Sequence, residues 1–417
     1  MDEIRPTSPS AAESGKRGLF VSIGIWAVVC AILIAASYRQ LGGFGGFWDD
    51  RLTLGSEHEF GAWWSGGLLL IAGLLAVATG EAVKSAAAEA AVRRKLTWAF
   101  RILGLWLAAL CIDEWASLHE RYDWSDIVIP RELRLPPIAL AMAVTLAWSL
   151  WTMWQHRPTL GSGRNAWLPT FLIAAGFGCM GSVYAIELAE HAFTWPESWR
   201  PARLAVEEGQ ELLGMGLVLF AVAWHWLGQA STRDSRGESI RRAAVPLAVG
   251  LMGIAPLLIV LQHLMPLEGK WARMGVPGKA VPAMLVMLAC AVAWFTYLRG
   301  RRPRWVWLAT AVVLLVTGFE TMTAFQRWFF EIPINKMRTD LVMLVIGTAI
   351  FGLGLAMRSR VWIIAGLVAV ALNLVNFAVF KNPIMQLNAT LGAFAILTAV
   401  VMVARPSISE PEPAPAG

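Results

Sequence analysis

Charge is scarce in this sequence. Asp, Glu, Lys and Arg make up 15% of its 417 residues, against about 25% in soluble domains. A soluble chain so poor in charge, and 57% hydrophobic, would expose large adhesive patches. Cysteine is sparse as well. Cys30, Cys111, Cys179 and Cys290 all fall within apolar runs, and no pair has Cys-x-x-Cys spacing. That excludes a disulfide framework and a thiolate metal site, and leaves the four as small buried hydrophobes. The His-Glu-x-x-His pattern of zinc proteases is missing, as is the paired Glu-x-x-His of ferritin-like helices. Long polar loops are missing too, so there is no room for a separate soluble domain between the apolar runs.

What is present is a series of apolar runs about 20 residues long, the length a helix needs to cross the hydrocarbon of a bilayer. A helix satisfies its own backbone hydrogen bonds, which makes it the natural spanning element. Hydropathy and flanking charges predict spans near 18–37, 61–84, 97–119, 136–155, 167–192 and 204–229, and six more near 243–264, 278–298, 304–329, 339–357, 361–379 and 387–404. The fold class expected is an all-α integral membrane protein of about twelve transmembrane helices. The first run is kept as a span: it is longer than a signal-peptide core, and Tyr38-Arg39-Gln40 does not resemble a cleavage site. Many of the 22 tryptophans sit near span ends, as in Trp63-Trp64 and Trp305 with Trp307, where interfacial belts place them.

Basic residues orient the spans. With both termini in the cytoplasm, Arg93-Arg94-Lys95, Arg241-Arg242 and Arg299 with Arg301, Arg302 and Arg304 all fall on the inner side, in keeping with the positive-inside bias. The net charge of +6 is therefore a topology signal, and no nucleic-acid partner is expected. Of the 35 basic residues 28 are arginine, which points to a GC-rich bacterial source and to the bacterial inner membrane. The chain organises into a disordered tail (1–17), a six-helix half (18–229), a basic cytoplasmic loop (230–242), a second six-helix half (243–404) and a disordered Pro-rich tail (405–417).

The acidic residues gather on the opposite, outer side. Span 3 ends in Asp113-Glu114 and His119-Glu120. Span 5 ends in Tyr184, Glu187, Glu190 and His191. Span 6 begins with Glu207-Glu208-Gly-Gln210-Glu211, and span 9 ends near Glu320. Tyr184, Glu187 and His191 share a helix face at i, i+3 and i+7, and Glu207 shares one with Glu211. For Glu207 and Glu208, a position at a helix N-terminus just after Pro201 is a structural explanation, since the macrodipole favours anions there. Asp113, Glu114, Glu187, Glu190 and Glu320 lie at C-terminal ends, where it disfavours them. They need a proton, a basic partner or a metal. Oxygen and imidazole donors without thiolate suit zinc, iron or manganese.

Two of these helices carry a resemblance. Ile112-Asp113-Glu114 through His119-Glu120, and Glu207-Glu208-Gly-Gln-Glu211-Leu-Leu-Gly214, are similar to paired motifs in a family of bacterial multi-pass membrane proteins of uncharacterised function. Ile112 stands where the family has Leu, and Leu212 where it has Met. The resemblance covers about residues 97–226. It implies kinship and a multi-pass fold, and no chemistry.

A second internal likeness relates Glu114–Arg121 to Glu320–Arg327, six spans apart, as a weak parallel 6+6 duplication would. Three functions follow. The leading one is a membrane-embedded metal-dependent enzyme acting on a lipid-like or other small substrate. His119, His191, Glu187, Glu190 and Glu207 would be its ligands. Glu114, Glu208 and Glu211 would handle protons, with Asp113, Glu120, Tyr184 and Glu320 as further candidates. The second is a proton- or cation-coupled transporter using the same acids. The third is a membrane scaffold whose salt bridges tie helix ends together without catalysis.

Overall fold

The computed structural model describes residues 23–32, 34–35, 60–84, 89–116, 131–160, 166–192, 196, 199–230, 232–264, 277–299, 304–323 and 382–404, with scattered positions between 348 and 371. Among them all regular structure is helical. The helices are α1 (Ile23–Ile32), α2 (Phe60–Val83), α3 (Ala90–Ala116), α4 (Arg131–Gln155), the single turn α5 (Arg157–Leu160), α6 (Leu168–Ala192) and α7 (Arg200–Gln229). They continue with α8 (Arg233–Leu264), α9 (Pro277–Leu298), α10 (Arg304–Thr323) and α11 (Asn382–Val403). The span expected near 339–357 lies almost wholly outside the described residues, and of that near 361–379 scattered positions from 363 to 371 are described, all helical.

Among the described residues five stretches are long and apolar enough to cross a bilayer: Trp64–Val83, Ala90–Trp115, Ala205–Gln229, Asp234–Ile259 and Ala280–Leu298. The surface agrees. Along α4, Leu140, Val144, Trp148, Trp151 and Trp154 recur at helical spacing and are all exposed, Leu140 by 65%. So continuous an apolar face is unfavourable in water and suited to lipid. The protein is an α-helical, multi-pass membrane protein.

The chain divides into two compact units, Met1–Ser239 with Met265–Ala280, and Ile240–Leu264 with Val281–Gly417. In the first, α2 packs on both α3 and α7, α6 packs on α7, and α3 packs on α4. The α2–α3 contact is written in the sequence as glycines seven residues apart. The Trp115 indole lies over Gly66; a Cβ on Gly73 would meet the Gly104 carbonyl oxygen at 2.9 Å, and one on Gly80 the Thr97 carbonyl at 3.0 Å. Seven residues are almost two helical turns, so the three glycines share a face and the antiparallel backbones approach closely along it. Thr97 Oγ1 adds a hydrogen bond to the Gly80 carbonyl at 3.1 Å. On the far side of α3, Trp106 Nε1 donates to Thr145 Oγ1 of α4 at 2.8 Å.

The α6–α7 contact uses the same device once. A Cβ on Gly176 would lie 2.6 Å from the Gly214 carbonyl oxygen, and one on Gly214 would lie 2.6 Å from that of Gly176. Helix α1 closes against α7 and α2. The Trp26 ring covers Gly216 and meets Phe220 edge-on at 5.4 Å. Ile34 reaches Gly209, and Cys30 lies beside Trp64.

Several helices start earlier than hydropathy alone predicts, α3 and α8 by the widest margin. Helix α3 begins at Ala90, so Arg93-Arg94-Lys95 belong to its first turns; long basic stems run alongside an apolar helix while their charges stay in water. The stretch expected as a basic loop, 230–242, is helical from Arg233. A reciprocal cap explains the start. Ser235 N–H donates to Thr232 Oγ1 at 3.0 Å and Thr232 N–H to Ser235 Oγ at 3.1 Å, a capping box with serine in place of Glu or Gln. The corner before it is fastened by Trp226 Nε1 donating to Ser239 Oγ and by Arg236 Nε donating to the Ala230 carbonyl.

In the second unit, α9 and α10 pair antiparallel. Met287 lies over Gly318, Cys290 Sγ donates to the Ala311 carbonyl at 3.2 Å, and the Arg304 guanidinium stacks on Tyr297 at 5.3 Å.

Candidate functional site

The level of each helix along the first bundle follows from its contacts. Gly73 meets Gly104, so Ser65 of α2 lies at the level of Glu114 of α3. Their hydrogen bond confirms it: Ser65 Oγ donates to a Glu114 carboxylate oxygen. Helices α6 and α7 are registered by Gly176 against Gly214, which sets Ser182 level with Gln210. Ser182 Oγ lies 3.0 Å from Gln210 Oε1 and 2.6 Å from the Cys179 carbonyl. A hydroxyl has one proton to give, and both contacts are satisfied if the Gln210 amide presents its NH2 to Ser182.

Two ties relate these pairs to each other. At one end Cys30 of α1 and Ile34, two residues past its end, reach Trp64 and Gly209. At the other end the Phe100 ring meets the His225 ring edge-on at 5.5 Å. Helices α2 and α7 therefore run in the same direction. Ser65, Glu114, Ser182 and Gln210 form one polar layer near one end of the bundle, and Glu207, Glu208 and Glu211 lie within a turn of it. All three of these glutamates are half-buried, as are Asp113 and Glu114, and none of the five is without a partner.

The macrodipole explanation for Glu207 and Glu208 does not hold. Helix α7 begins at Arg200, with Pro in its first two positions and no acidic residue in the first turn. Proline's fixed φ and lost N–H suit that position, so the helix starts before the apolar run does. The two carboxylates sit about two turns in, beyond the reach of the terminal dipole. Some other interaction holds them in a half-buried place.

The remaining expected site residues are placed less fully. Tyr184, Glu187, Glu190 and His191 lie in the last turns of α6, on the side of Ser182 toward the helix end; their backbone is described and their side chains are not. His119 and Glu120 lie outside the described residues. Glu320 is in α10 of the second unit, described by its backbone alone. Among the described residues no group of three or more His, Cys, Asp or Glu is arranged to hold a metal ion.

Two features escaped sequence reading. At the opposite end of α2 and α3, Glu81 is buried and paired: Arg101 Nη2 and Lys84 Nζ donate to it at 2.7 Å and 2.6 Å. The signal was a lone acid and a lone arginine in adjacent apolar runs, each needing the other. The second is His225, 2% exposed, with Nε2 3.5 Å from Thr170 Oγ1 and one face on Phe100. A single histidine in an apolar helix carries no sequence mark of its partners.

Residues 23–227 match a family model described as a domain of unknown function, DUF8692. The match runs from the start of α1 almost to the end of α7 and so takes in the whole polar layer. No curated protein and no solved structure matches the chain.

Proposed function

We propose that this is an inner-membrane protein of about twelve spans with both termini cytoplasmic, whose first six helices build a metal centre opening to the outer face. In this reading His119, His191, Glu187, Glu190 and Glu207 hold zinc, iron or manganese. A bound metal lowers the pKa of its water and makes it a nucleophile toward an ester or amide. Glu114, Glu208 and Glu211 accept and return protons. A lipid-like substrate enters sideways from the bilayer. The observation that carries the reading is the shared level of α3, α6 and α7. Asp113 and Glu114 of α3, the last turns of α6 and Glu207, Glu208 and Glu211 of α7 lie near one level, and half-buried carboxylates gathered there suit a cation.

The mid-level contacts favour this over a proton- or cation-coupled carrier. A carrier needs polar groups through the middle of the bilayer. At that level the described α2–α3 and α6–α7 contacts are the glycine pairs Gly73–Gly104 and Gly176–Gly214, which seat backbone directly on backbone. A site lying to one side of those contacts suits an enzyme or a binding protein.

Elemental mass spectrometry on detergent-purified protein tests it. The wild type is expected to carry about one or two equivalents of a transition metal. A folded His119→Ala, His191→Ala, Glu187→Ala triple variant is expected to carry none. Metal-free wild type, even after reconstitution with added ions, would sink the enzyme reading and leave the acids as a salt-bridged scaffold. In that case exchanging Glu187 with a nearby arginine should leave folding intact.

A further inference from the structure

The charged cluster at the other end of α2 and α3 has no part in the chemistry proposed above. Glu81, 5% exposed, takes hydrogen bonds from both Lys84 and Arg101. Both cations keep part of their surface open, 41% for Lys84 and 25% for Arg101. One carboxylate cannot neutralise two cations, so a positive charge remains, held in a fixed place by a buried anion. The surrounding sequence adds to it: residues 81–101 contain five basic side chains and two acidic ones.

The outward face of α3 orders these groups. Arg94, Trp98 and Arg101 recur at i, i+4 and i+7, and Leu105 follows four residues later, so all four share a stripe. Arg94, Trp98 and Leu105 are exposed, and the Arg101 guanidinium stacks on the Trp98 ring at 5.4 Å. From the helix start inward the stripe reads cation, indole, cation, aliphatic chain. It belongs to a stretch able to span the bilayer, Ala90–Trp115, and so meets lipid where that stretch reaches water. An anionic phospholipid is compatible with it, its phosphate within reach of Arg94 and of the Arg101 guanidinium stacked on Trp98, and its acyl chain below them at Leu105.

We propose that Lys84, Arg94 and Arg101, with Trp98, bind the headgroup of an anionic phospholipid, and that Leu105 receives the start of its acyl chain. Glu81 holds Lys84 and Arg101 in place for it. Basic clusters at the ends of spans attract anionic headgroups by roughly a fivefold gain in affinity for each cation near the surface. Tryptophan at the same depth anchors the interface.

Native mass spectrometry of the full-length protein in detergent, titrated with phosphatidylglycerol or with phosphatidylcholine of the same chains, tests the site. Phosphatidylglycerol is expected to be retained several-fold better. Lys84→Gln and Arg94→Gln should each lower its retention about fivefold. Both variants leave the Glu81–Arg101 pair intact, and an unfolding midpoint at the wild-type value verifies the fold. Equal retention of the two lipids, or retention unchanged in the double variant, would overturn the proposal. Displacement of the lipid by excess inorganic phosphate would overturn it as well, by making the cluster a site for soluble anions.

Discussion

Glu81→Ala is expected to destabilise the protein by about 3 kcal/mol, measured by SDS-titrated unfolding in mixed micelles with tryptophan fluorescence as the signal. The carboxylate joins the end of α2 to α3 through Arg101 and holds Lys84 beside it. Removing it leaves two like charges facing each other at a helix contact with no anion between them. Breaking a buried pair costs about 3–5 kcal/mol because the surviving charge is uncompensated. The lower end applies here, since Arg101 and Lys84 are partly exposed and can turn their charges toward water. Arg101→Leu should cost less than Glu81→Ala, because Lys84 Nζ, 2.6 Å away, still pairs with the buried carboxylate. The double variant Glu81→Leu, Arg101→Leu should recover most of the loss, an apolar contact replacing a pair whose desolvation was already costly. A cycle in which the two single changes simply add would show that the charges are not coupled. A loss below about 0.5 kcal/mol for Glu81→Ala would place the pair among ordinary surface ion pairs.

That cluster also shows where sequence reading stops. Apolar runs locate helix bodies well: 61–84 became Phe60–Val83, and 167–192 became Leu168–Ala192. They locate starts poorly, because hydropathy registers where a chain turns apolar while a helix begins where its first N–H groups are satisfied. Pro201 starts α7 and the Thr232–Ser235 cap starts α8, and both lie in polar sequence. The acids of α3 and α7 were legible as site candidates, since charge in an apolar segment is conspicuous. Their partners were not. Ser65 and Ser182 are serines in apolar runs, and nothing in their spacing tells which helix they face. Only the register set by the glycines brings Ser65 to Glu114 and Ser182 to Gln210. The glycines at 66, 73 and 80 were themselves readable as a period of seven, a stripe that admits a close neighbour. Which neighbour comes there is a matter of tertiary structure.

The glycine register yields the second large effect, one with its control inside the same helix. Gly176→Ala and Gly214→Ala should each destabilise the protein by about 1–3 kcal/mol, and valine at either position by more. The added Cβ would stand 2.6 Å from a backbone carbonyl in each case, and at Gly214 also 2.7 Å from Met180 Cγ. A flexible side chain can give way; a helix backbone can do so only by moving the whole helix. Gly178 and Gly181 lie on the same helix as Gly176 and have nothing within 4 Å of a Cβ. There alanine should be neutral or stabilise by up to about 1 kcal/mol, since glycine is the poorer helix former. A contrast of opposite sign between residues two positions apart is hard to obtain from propensity or composition alone. It requires the close contact of α6 and α7. The same variants bear on function. Separating α6 from α7 at Gly176 and Gly214 tilts apart the ends that carry Glu187, Glu190 and His191 on one helix and Glu207 and Glu211 on the other. On the proposed metal-centre reading, a Gly214→Ala protein that stays folded should lose metal along with stability, whereas Gly178→Ala should keep both. Equal effects at 176 and 178 would show that the α6–α7 register is wrong, and the shared level of the candidate ligands would fall with it.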